Sequence, residues 1–114
     1  MKYILALLTA ITLPIMAQAQ FTGPSNKLAA STVAEAKNMR DETHVVLEGV
    51  IERKIKHERY LFNDGTNTIV LEIDDDVWLG LNVSETDRVR VFGEVDRSMF
   101  RDTKVDVETI EIIK

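Results

Sequence analysis

The chain has 114 residues, no cysteine, two histidines and a net charge of −5, enough for one domain around one modest core. Without cysteine there are no disulfide staples, no thiol redox chemistry and no thiolate metal site, and two imidazoles are too few for a histidine-rich zinc centre. The acidic balance argues against sequence-independent binding of a phosphate backbone, where cations dominate affinity.

Met1-Lys2-Tyr3 is a short basic start, Ile4 to Met16 is almost wholly apolar, and Ala17-Gln18-Ala19 has the small-x-small form that signal peptidase cleaves. The run is too short to span a bilayer, and no polar face interrupts it, so it reads as a cleavable export signal. Cleavage after Ala19 leaves 95 residues starting at Gln20; the excised piece carries one Lys and no acid, so the charge becomes −6. The expected organisation is a signal peptide at 1–19, a leader and helix at 20–42 and a barrel at 43–114, all of 20–114 being one periplasmic domain.

Phe21 to Asn26 is turn chemistry. Thr32 and Glu35 have capping-box spacing and start a helix to about Met39 or Arg40, with Val33 and Ala36 on its packed side. From Thr43 the period switches to two, predicting strands over 44–52, 59–63, 68–73, 88–96 and 104–113, with Asp64-Gly65 as a turn. Alternation puts Val45, Leu47, Gly49 and Ile51 on one inward face and Val89, Val91, Gly93 and Val95 on another. The two glycines sit mid-strand, where coiled barrel strands bend. In the last strand the phase slips between Val107 and Ile110, predicting a bulge near Glu108-Thr109. Trp78, Leu79 and Leu81 are expected to plug one barrel end.

This pattern predicts an all-β fold, a five-stranded Greek-key OB-fold barrel with a short N-terminal helix. Five strands are too few to close a sandwich. The chain also resembles the bacterial OB-fold (BOF) family, the YgiW/YdeI-type periplasmic stress-tolerance proteins. The resemblance rests on Phe21-Thr22-Gly23-Pro24-Ser25, Thr32-Val33-Ala34-Glu35-Ala36-Lys37, Met39-Arg40-Asp41 and Val45-x-Leu47-x-Gly49-x-Ile51. It continues through Tyr60-Leu61-Phe62-Asn63-Asp64, Ile73-Asp74 with Trp78, and Val91-Phe92-Gly93-Glu94-Val95-Asp96. It implies a secreted barrel without cofactor or catalysis, linked to envelope stress and to envelope sugars or proteins as partners, and it supplies no active site to transfer.

Candidate sites therefore come from the residues themselves. OB folds bind on the face of strands two and three, between the first and fourth loops. Here those loops, 53–59 and 97–104, hold seven of the thirteen mature Lys and Arg residues. Lys54, Lys56, His57, Arg59, Arg97, Phe100, Arg101 and Lys104 are the ligand-binding candidates, a cationic rim with an exposed ring suited to a small anionic or sugar-type ligand. Charged hairpin tips that serve only solubility are the competing reading. Val46, Val50 and Phe92 face outward, either under the helix or as an apolar patch for an envelope protein. Asp74, Asp75 and Asp76 are candidate ligands for a hard cation such as calcium, against a turn or capping role. Tyr60 and Phe62 are assigned to the core rather than to a stacking platform. His57 is expected to be a solvated residue whose pKa the nearby cations lower. No serine or histidine lies in a nucleophile motif, so an enzyme is not expected. No cofactor, nucleic-acid partner or membrane span is expected either.

Overall fold

The computed structural model describes residues 28–114, so the export signal and the Phe21 to Asn26 leader lie outside the described residues. A single helical turn, α1 (Val33–Ala36), precedes five strands: β1 (His44–Lys56), β2 (Arg59–Asn63), β3 (Thr68–Glu72), β4 (Val89–Ser98) and β5 (Arg101–Ile112). A short 3-10 turn at Asp75–Val77 lies between β3 and β4. The sheet closes as a barrel in the order β1-β2-β3-β5-β4, antiparallel except for the β3–β5 pair.

The capping box forms as its spacing requires. Thr32 Oγ1 accepts from the Glu35 amide at 3.0 Å, and Glu35 Oε1 accepts from the Thr32 amide at 2.9 Å. The helix is shorter than expected because the next amides, Asn38 and Met39, bond three residues back, which ends the α-ladder. Its N-terminus has a third acceptor from far along the chain: Asp64 Oδ2 takes the Val33 amide at 2.8 Å. Val33 and Ala36 are thereby held fully buried against the barrel end.

The inward faces are those expected, with Leu47, Phe62, Leu71, Ile73, Val89, Val91 and Val105 completely buried. The bulge in β5 is also present. Phe92 pairs with Thr109 and Gly93 with Val107, so Glu108 is the extra residue, and Ile110 and Ile112 return to the core side. At this bulge β4 and β5 approach so closely that a Cβ on Gly93 would strike the Asp106 carbonyl oxygen. A Cβ on Gly49 would likewise lie 2.5 Å from the Asn63 carbonyl oxygen. Both glycines are required by backbone approach.

Three expectations are corrected. The segments read as basic loops are mostly strand: β1 runs to Lys56 and β5 starts at Arg101, leaving only His57-Glu58 and Met99-Phe100 as turns. Register shifts after Ile51 and Lys54 let the long first strand coil that far, and Glu58 takes the left-handed conformation that reverses it. The barrel plug is Trp78, half-buried and edge-on to Tyr60 at 5.4 Å, while Leu79, also left-handed, is 89% exposed. Finally, Val46 and Phe92 are buried, and what lies over them is the strand-like segment before α1 rather than the helix. The Ser31 amide donates to the Val46 carbonyl at 2.8 Å, and the His44 ring stacks on Phe92.

Candidate functional site

Strands β2, β3 and β5 build the outer face on which an OB fold presents its ligand site. Along it Leu61 and Val70, both half-buried, form an apolar strip, because in each strand they alternate with the inward Phe62, Ile69 and Leu71. Thr68, Asp102, Thr103 and Lys37 surround the strip, enclosing a shallow cleft of about 390 Å³.

At one end of this face lies an ionic network that sequence reading did not find. Lys104, almost fully buried, places Nζ 2.7 Å from Asp96 on β4, 2.7 Å from Asp106 on β5 and 2.9 Å from Glu72 on β3. Arg59 extends it from β2 through Glu72 at 3.2 Å, and Arg101 approaches Asp96 at 3.8 Å. Burial pushes the Lys104 ammonium toward neutrality, but hydrogen bonds to the three carboxylates outweigh this and hold it charged well above the ordinary lysine range. The same ammonium lowers Glu72 and Asp96 below the usual carboxylate range, against a smaller opposing effect of burial.

The cationic rim expected from the sequence therefore divides. Arg59, Arg101 and Lys104 face three acids and leave little charge for a ligand. Arg97 is a strap: its guanidinium donates to the Lys37 and Met39 carbonyls at 2.7 and 3.3 Å, and its amide donates to Asp41 at 2.8 Å. Lys54 and Lys56 are exposed and, among the described residues, have no acid within ion-pair distance. Phe100, with Met99, stands in solvent at the β4–β5 turn. Phe62 is core as expected, and Tyr60 is half-buried against Trp78. Val50 is half-buried and Val46 buried, so instead of an apolar patch this face carries a groove lined by Leu28, Ala30, Val46 and Phe92 together with the charged Glu48, Arg90 and Glu111.

The three aspartates do not converge. Asp75 Oδ2 accepts from His57 Nε2 at 2.8 Å, Asp74 lies with Glu58 and Glu72, and no described group gathers all three. Asp74 precedes the 3-10 turn but makes no side-chain cap bond; its carbonyl takes the Val77 amide instead. His57 also departs from expectation. The hydrogen bond and charge of Asp75 outweigh Lys54 and raise its pKa above 6.5. Being raised, the pair's contribution is complete below pH 6.5 and is lost as pH climbs through the folded value. A proton-NMR titration should place the His57 midpoint above 6.5, and Asp75→Asn should return it toward that value. An unchanged midpoint in the variant would show that the pair does not form.

This closed five-strand barrel, with a capped helical turn at its mouth and close-packed glycines at two strand pairs, comes with a family match over nearly all of the described chain. The family model for bacterial OB fold (BOF) proteins covers residues 10–112. The chain belongs to the bacterial OB fold family. The calcium-regulated OB-fold protein CarO of Pseudomonas aeruginosa is 38% identical over 96 residues, 84% of this chain and 82% of CarO. Protein YgiW of Escherichia coli K12 is 33% identical over 120 residues, 94% of this chain and 92% of its own. The solved YgiW structure superposes with a TM-score of 0.74, covering 82% of this chain and 97% of that one. CarO is named for its OB fold and not for a reaction. No helix among the described residues is long and apolar enough to cross a membrane.

Proposed function

We propose that this protein is an exported, periplasmic, non-enzymatic binding module that supports envelope stress tolerance by holding a small sugar-type envelope ligand on the β2–β3 face. The observation that carries this reading is the cleft over Leu61, Ile69 and Val70, an apolar floor bordered by the polar residues Thr68, Thr103, Asp102 and Lys37. Such a mixture of donors and acceptors over an apolar strip suits a polyhydroxylated ring. It suits a strongly anionic ligand less well, since Arg59 and Lys104 are already paired with carboxylates. The apolar run and small-x-small site at the start of the sequence support export.

Val70→Glu puts a charge into the cleft floor and should weaken binding of soluble peptidoglycan fragments about tenfold or more, equivalent to about 1.4 kcal/mol. The pair Lys54→Glu and Lys56→Glu should leave it within about twofold, because both lysines lie outside the cleft. If the lysine pair abolishes binding and Val70→Glu does not, the ligand sits on the β1–β2 hairpin instead.

A further inference from the structure

On the outer face of β1, β4 and β5, two charged rows flank Val46 and Phe92. In the first, Arg90 on β4 donates to Glu48 on β1 at 2.8 Å and to Glu111 on β5 at 2.6 Å, so a permanent cation sits between two acids. The second row repeats the arrangement with His44 on β1, Glu94 on β4 and Glu108 on β5. His44 Nε2 is 3.2 Å from Glu94 Oε2 and 3.8 Å from Glu108 Oε2. Here the central group is an imidazole, whose ring nitrogen can also serve as a metal ligand between the two carboxylates.

The backbone prepares this convergence. His44 and Glu94 are direct cross-strand partners. Glu108 is the extra residue of the β5 bulge, and the bulge turns its carboxylate to the same face as Glu94. The His44 ring lies flat on Phe92, with centroids 5.4 Å apart and planes within 4°, which fixes the direction of Nε2. Ligand atoms around a tetrahedral zinc ion, about 2.0–2.2 Å from the metal, are about 3.4 Å from one another. The separations observed here bracket that spacing and the three atoms lie within 4.8 Å of each other.

We propose that His44, Glu94 and Glu108 form a site for a divalent transition metal ion such as zinc, with the remaining coordination positions open to water or a ligand. One imidazole and two carboxylates are the donor set of a borderline cation, and the imidazole disfavours calcium and magnesium. The second histidine cluster, His57 with Glu58 and Asp75, is less suited. Its imidazole is engaged by Asp75 at 2.8 Å, it lies near the Lys54 charge, and no ring packs against it among the described contacts. This site is independent of the β2–β3 cleft.

Titration of ZnCl2 into the protein, followed by calorimetry and by the imidazole resonances, should give one site per chain with shifts at His44. His44→Ala and the isosteric Glu108→Gln should each weaken it about tenfold or more, while the zinc-free proteins melt within about 4 °C of the parent. His57→Ala should leave the affinity within about twofold. The absence of heat and of shifts at His44 up to millimolar zinc overturns the proposal, as does zinc binding that survives His44→Ala or that follows His57.

Discussion

Lys104→Met is expected to destabilise the barrel by about 2–3 kcal/mol at pH 7, because three carboxylates lose the buried cation they share. The loss of one partner of a buried pair costs about 3–5 kcal/mol when the other is fully desolvated. Here Glu72, Asp96 and Asp106 keep 30%, 27% and 52% of their side-chain surface, so water relieves part of the repulsion. The pH dependence gives the mechanism away. Glu72 and Asp96 titrate in the folded protein below their ordinary values of 4.5 and 3.8. Their contribution is therefore present above those values and is lost as pH falls through the lowered ones. Urea unfolding at pH 7 and pH 3 should show the gap between parent and variant narrowing with acid. A gap of equal size at both values would mean that Lys104 acts only through the packing of its stem.

Gly93→Ala is the second large effect, a cost of about 2–3 kcal/mol from overpacking. The obstruction is the backbone of Asp106 and Val107, which cannot swing aside as a flexible side chain would. To admit the methyl group the strands must separate at the bulge that returns Ile110 and Ile112 to the core. Gly65→Ala is the control. It sits in a turn at φ 91° with nothing near its Cβ, so it pays only the conformational strain of about 1 kcal/mol. Thermal melting of the two variants side by side checks this; similar losses would remove the case for close strand approach.

Much of the barrel is legible in the chain because each of its devices is local. The period-two faces of β1 and β4, the Thr32–Glu35 box and the phase slip around Glu108 are each decided by residues a few positions apart. The site is harder to read because its contacts are not local. Lys104 looked like one more cation of a basic loop. Only the register, which sets it beside Asp96 on β4 and Val70 on β3, shows that it is buried among acids. The alternation Lys104-Val105-Asp106-Val107 already placed 104 at the start of the fifth strand, but no local pattern names its cross-strand partners. Asp64 was legible as a turn residue but not as the acceptor for an amide 31 positions away. The outward Val46 and Phe92 were placed on the correct face, yet what covers them depends on how the segment at Ser31 pairs with Leu47. His44 gave no sign of its partners, which come from two other strands.

The division of the basic residues also bears on specificity. A rim of free cations would have selected anions by charge, with strong salt dependence. With the cations paired in the Lys104 network, shape and hydrogen bonding are left to select the ligand on the proposed binding face.

The most direct test of the proposed binding face is an amide chemical-shift map of the protein titrated with soluble peptidoglycan fragments. The account predicts shifts concentrated at Leu61, Thr68, Val70 and Thr103, with the Lys54 to His57 hairpin unaffected. Shifts confined to that hairpin or to the Met99-Phe100 turn, or no shifts at saturating fragment, would contradict it.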